Sequence, residues 1–182
     1  MSFLAHLCLN EGRAGRDWYM SVHHEIEIAC QRMGWSEKKL CASLAILSPR
    51  CGVKANVRAA VALMQGQPKP RGVLGACWDR AKAGEVSGPK VTAFYQALRG
   101  DLDSVVVDVW VLRILGGPKN LRPTQYEKWA DIVRMTADKL RWWPCQAQAA
   151  LWVASMKLHG RKPVCMGSVL WSVTQPTLGD WS

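Results

Sequence analysis

The chain has 182 residues, 49% apolar and 21% charged, which is material for one well-packed domain and excludes global disorder. Lysine and arginine outnumber aspartate and glutamate by 24 to 14, a formal charge of +10, so a polyanion is drawn to the surface and nucleic acid leads the partner classes. Seven scattered cysteines without a Cys-x-x-Cys pair argue against both a disulfide framework and a zinc site. The opening "MSFLAHLCLNEGRAGRDW" has no cationic region ahead of its short apolar run, and no later run reaches membrane-spanning length, so a soluble, cytoplasmic protein without a membrane partner is expected.

Asp17 can cap a helix reading "WYMSVHHEIEIACQRM" that stops at Gly34, and Ser36 can cap "EKKLCASLAIL". Ser48-Pro49 suits the start of the next helix, which runs through "RCGVKANVRAAVALM" to Gly66. After the loop "GQPKPRG", three short helices follow: one closed by Gly84, "KVTAFYQALRG" closed by Gly100, and "DVWVLRILGG" capped by Asp108. Val105 to Val107 could be read as a strand, but no second β-rich run exists to pair with it, and a buried approach to a helix is preferred. Thr124 starts "QYEKWADIVRMTADKLRWW", Pro144 starts "CQAQAALWVASMKLHG", and the tail of about 163–182 is expected to be irregular. The sum is eight helices and no sheet, an all-α chain forming a single domain over 1–182.

The stretch "VSGPKVTAFYQALRGDLDSVVVDVWVLRIL" carries the chemistry. A turn built on Gly88 at a helix start leaves backbone amides pointing outward, an arrangement that favours an anion such as phosphate. Lys90 stands at the start of the same helix, where the helix dipole disfavours positive charge and so favours the neutral amine that a nucleophile needs. Asp108, flanked by valines, can be a half-buried cap, a base, or a stabiliser of developing positive charge. On local grounds alone, a surface lysine and a plain helix cap explain the pair better than a catalytic role does.

"GPKVTAF" followed by "GDLDSVVVDVWVLRIL" resembles the helix-hairpin-helix DNA glycosylase superfamily, of the endonuclease III and 8-oxoguanine glycosylase kind. There a Gly-x-Lys turn ends the hairpin and an apolar segment leads to an aspartate; Lys90 and Asp108 stand eighteen positions apart, as in such members. Upstream, "LAILSPRCGVKANVRAA" is similar to a Leu-Leu-Ser-x-Gln segment of the family, with Arg50 at the place that reaches into DNA. The resemblance covers about 40–115 well and the rest loosely. It implies a two-lobed helical glycosylase fold with the hairpin at about 74–99, a monomer on double-stranded DNA, and excision of a damaged or modified base after base flipping. In that reading Lys90 attacks C1′ and gives abasic-site lyase activity, while Asp108 stabilises the oxocarbenium-like sugar. Arg50, Lys54, Asn56, Ser87, Gly88 and Val91 would meet DNA, and Trp110 is the base-pocket candidate.

Departures from the family pattern are local. Val86 replaces the first glycine of Gly-x-Gly-x-Lys, Pro89 precedes the lysine, and Trp110 stands where a histidine often follows the aspartate. Cys145 and Cys165 are isolated, so no iron-sulfur cluster is expected; the hairpin leaves room for a monovalent cation. His23-His24-Glu25 has a metal-site composition, but neighbours on a helix point apart and no metal is expected. Trp129, Trp142, Trp143 and Trp152 fall within helical patterns and are expected in the core. The alternatives are a non-catalytic helix-hairpin-helix DNA-binding protein and an enzyme of hypermodified-base metabolism on the same scaffold.

Overall fold

The computed structural model describes residues 2–175, which form ten α-helices and two short 3-10 turns, with no strand among the described residues. In chain order the helices are α1 (Phe3–Asn10), α2 (Trp18–Met33), α3 (Glu37–Ile46), α4 (Val53–Met64), α5 (Gly75–Ala83), α6 (Pro89–Leu98), α7 (Val109–Leu115), α8 (Tyr126–Leu140), α9 (Pro144–Leu158) and α10 (Met166–Thr174). The 3-10 turns are Arg13–Gly15 and Pro123–Gln125. Most boundaries follow local chemistry. Ser36 Oγ accepts from the Lys39 amide at 3.4 Å to open α3, Pro144 takes the first position of α9, and Gly84 and Gly116 close α5 and α7 in the left-handed region.

Three expectations need correction. α4 starts at Val53 rather than at Ser48-Pro49, because Arg50 is left-handed (φ 55) and cannot belong to a right-handed helix. The tail is not irregular throughout: α10 forms because Met166, Leu170 and Thr174, spaced four apart, are buried and the helix packs on α4. Residues beyond 175 lie outside the described part. α1 adds a helix that its short apolar run did not announce, started by Ser2 Oγ accepting from the Ala5 amide at 3.4 Å.

The chain divides into two compact units, each discontinuous in sequence. The first takes its described residues from Met1–Met20 and Ser87–Pro163, the second from Ser21–Val86 and Val164–Ser182. The first unit is built around α9, which α1, α7 and α8 all contact. Val105, Val107, Val111, Leu112, Val133, Ala147, Ala150 and Leu151 form its buried core, with Trp129, Trp142 and Trp152 packed against it. Trp143 is the exception among the tryptophans expected inside: it precedes α9 and is 52% exposed. Gly15 lets the first 3-10 turn lie on α9, since a Cβ there would meet the Ala149 carbonyl oxygen at 2.6 Å. In the second unit α3 packs on α4 and α5, and α4 on α10.

Val105 to Val107 form the buried approach to α7 rather than a strand. Their polar atoms are met by one side chain. The Tyr126 hydroxyl donates to the Val105 carbonyl at 2.8 Å and accepts from the Val107 amide at 2.9 Å. This exchange lets an extended segment be buried without a sheet and delivers Asp108 to the start of α7.

Candidate active site

Asp108 is the N-cap of α7. Its Oδ1 accepts from the Trp110 and Val111 amides, each at 2.9 Å, and the Trp152 indole N–H donates to the same carboxylate. Burial pushes the Asp108 carboxyl above its ordinary value; the Val111 amide, the nearby Lys90 charge, the Trp110 amide and Trp152 pull the other way without cancelling it. The carboxylate is thus held by fixed donors yet keeps a raised appetite for a proton.

Lys90 arrives from α6, whose first turn is shaped by two residues. Gly88 is the N-cap at φ 84, ψ 145, a conformation that side-chain-bearing residues avoid, and Pro89 takes the first helical position. A Cβ on Gly88 would meet open space, so the glycine is needed for its dihedral angles and not for clearance. The first α6 amide to close a helical bond is that of Thr92, onto the Gly88 carbonyl at 2.9 Å. The Lys90 and Val91 amides therefore lie in the orphan first turn. The side chain of Val91, expected to meet DNA, is buried.

Aromatic groups gather around Asp108. Tyr19 is buried near Asp108 and Cys145, and burial raises its phenol well above the ordinary value. Trp18 lies 6.1 Å from Trp152, centroid to centroid, and Tyr19 meets Phe94 edge-on at 6.4 Å. Trp110, half-buried, carries the Arg113 guanidinium over its ring at 4.2 Å, with His159 at 5.8 Å. One face of the ring expected to line a base pocket is therefore occupied by a cation.

The other expected DNA contacts fall into two groups. Ser87 and Gly88 are exposed at the start of α6 in the first unit, while Arg50 and Lys54 are exposed in the second. The hairpin expected at about 74–99 is divided the same way, α5 in the second unit and α6 in the first. Asn56 is a correction: it is 2% exposed and its Nδ2 donates to the Leu44 carbonyl at 3.0 Å, so it ties α4 to α3 instead of touching a ligand at the surface.

A cavity of about 500 Å³ opens beside α6, between Gly88, Thr92 and Gln96 on one side and Asp101, Asp103 and Glu127 on the other. Arg134 also lines it, paired with Glu127 at 3.0 Å, whereas neither Lys90 nor Asp108 does. Burial pushes the Cys8 and Cys145 thiols up to about 12, which makes them inert core groups. His23 and His24 both face Glu27, at 3.6 and 3.8 Å. No helix among the described residues is long and apolar enough to cross a membrane.

Trp152 and Tyr19 escaped sequence reasoning as site residues. Both lie far from Asp108 in the chain; for Trp152 the one available signal was that α9, rich in alanine, carries polar and aromatic residues at helical spacing, and Tyr19, on α2, had none. Residues 9–175 match a family described as a family of unknown function (DUF7178). No curated protein and no solved structure matches the chain.

Proposed function

The chain belongs to the DUF7178 family of unknown function, and we propose that it is a DNA N-glycosylase with abasic-site lyase activity, on a two-lobed helical glycosylase-like fold with a helix-hairpin-helix motif. The observation that carries the reading is the pairing of a half-buried carboxylate of raised proton affinity, Asp108, with the nearby amine of Lys90. A surface lysine and a plain cap do not require such an environment. The excess of 24 basic over 14 acidic residues suits a polyanionic substrate.

In this mechanism the base leaves with the electron pair of its N-glycosidic bond, and the positive charge that grows on the sugar is stabilised by the Asp108 carboxylate. The same carboxylate accepts a proton from the Lys90 ammonium, more readily than an ordinary aspartate does because its proton affinity is raised. The freed amine pair attacks C1′; the nitrogen sheds a proton, the C1′–O4′ bond breaks with its electron pair on O4′, which takes up that proton, and a protonated Schiff base results. Abstraction of a C2′ proton then expels the 3′ phosphate by β-elimination, and water releases the lysine. The orphan amides of the α6 first turn, with Ser87 and Gly88, supply phosphate contacts.

The test is a screen of wild type and Asp108→Asn on duplexes carrying oxidised, deaminated, alkylated and bulky modified bases. Wild type should release at least one class and Asp108→Asn should not. Tight duplex binding with silence across every class would replace the enzyme by a non-catalytic DNA-binding module. Release confined to bulky modified bases would place the chain in hypermodified-base metabolism.

A further inference from the structure

Trp110 is the aromatic ring nearest in the chain to the proposed catalytic carboxylate, and one of its faces is taken. It stands two residues after Asp108, and its amide is one of the two that bind the Asp108 carboxylate, at 2.9 Å. Trp110 and Arg113 lie three apart on α7 and so share a face, and the guanidinium sits over the ring at 4.2 Å. His159, at the C-cap of α9, meets the ring edge-on at 5.8 Å. Its Nδ1 is tied to the Ser155 carbonyl at 2.7 Å, so the imidazole is fixed where it stands.

A cation over an indole is not rare in this fold: Arg32 covers Trp171 at 4.5 Å and Arg16 covers Trp142 at 5.0 Å. What differs at Trp110 is place, since the pair stands on the turn that holds the Asp108 carboxylate. Arg113 is exposed, and among the described residues it pairs with no carboxylate. Arg161 and Lys162, two and three residues past His159, are exposed as well and add to the positive charge. Arg113 therefore carries an uncompensated charge that rests on a ring.

The two bonds open to that charge are unequal. A cation–π contact at an exposed site shifts an equilibrium about 2- to 5-fold, whereas a hydrogen bond between a guanidinium and a phosphate shifts it about 10- to 100-fold. A phosphate within reach therefore draws the guanidinium off the indole. We infer that Arg113 is a latch on Trp110: a backbone phosphate of bound duplex DNA takes the guanidinium, and the bared indole face receives the extruded base beside Asp108. The base pocket is then completed only on DNA, so a free base or nucleoside meets a covered ring.

This rests on the glycosylase reading, and the experiment separates the two. Wild type, Arg113→Ala and Arg113→Lys, each carrying fluorotryptophan, are titrated with a duplex holding a tetrahydrofuran abasic analogue, which offers phosphates but no base. Fluorine NMR follows the Trp110 signal, identified by its loss in Trp110→Phe. In wild type that signal should move on binding to the position it has in free Arg113→Ala, and in Arg113→Ala it should stay there when the duplex is added. Arg113→Ala should bind the duplex about 10-fold more weakly, with the slope of log affinity against log salt lower by about one, while Arg113→Lys keeps the wild-type slope. Tight binding with the wild-type Trp110 signal unmoved, or an unchanged slope in Arg113→Ala, would overturn the latch and leave the glycosylase reading intact. No duplex binding by wild type in low salt would remove that reading and the inference with it.

Discussion

Replacing Asp108 by Asn and, separately, by Ala should divide its capping role from its chemistry. Asn keeps an oxygen where Oδ1 accepts from the Trp110 and Val111 amides, each at 2.9 Å, and caps helices as well as Asp does. What it removes is the charge. Because the folded-state carboxyl lies above the ordinary 3.8, the protonated form contributes stability that is present below the unfolded-state value and is lost as pH rises through the higher folded-state value. At pH 7 the ionised group is therefore a net cost in the fold, and Asp108→Asn should melt at or above the wild-type temperature, with the gap closing on acidification. Asp108→Ala orphans two amides, a cost of about 1–2 kcal/mol and a melting temperature lower by about 2–8 °C. Both variants should lose base release by about 10²- to 10⁴-fold. Thermal melts between pH 4 and 8 and single-turnover release assays read both effects. A destabilisation of Asp108→Asn equal to that of Asp108→Ala, independent of pH, would refute the assignment of a buried, disfavoured charge; retained release in Asp108→Asn would refute its chemical role.

Borohydride should trap wild type on abasic duplex DNA, and Lys90→Gln should give no trapped complex. The same variant removes a charge that lowers the Asp108 carboxyl, so any residual base release should show its acid limb at higher pH; an unmoved limb would mean the two groups do not communicate. Tyr126→Phe strips both bonds from the Val105–Val107 segment and should cost about 2–3 kcal/mol in urea unfolding, an expectation sunk by a loss within error of zero. Arg50→Gly relieves a left-handed backbone (φ 55) and should leave stability unchanged or raise it by about 1 kcal/mol. It should also lower the slope of log affinity against log salt for duplex DNA by about one if Arg50 holds a phosphate.

Much of the helical plan was legible because caps and stops are local. Ser36 and Asp108 each accept from amides within three residues, Pro144 needs only its own fixed φ at the first position of α9, and Gly84 and Gly116 need only their own dihedral angles. The failures have a common cause. α10 has no side-chain cap hydrogen bond and rests on burial against α4, and the Ser48-Pro49 start failed because Arg50 turns left-handed in a loop that the local pattern reads as helix. Asn56 looked like a ligand contact by type and place, yet packing turned its amide toward the Leu44 carbonyl.

The sequence by itself determined an all-helical chain, a basic surface, and the order and spacing of Lys90 and Asp108, since each depends on composition or on neighbours within a turn. Only the tertiary structure decided the environment of that pair. Tyr126 satisfies the approach to Asp108 from nineteen and twenty-one residues away, and α9 brings Trp152 to the carboxylate. Proton affinity is a property of burial, and burial is settled by elements that meet in space however far apart they lie along the chain.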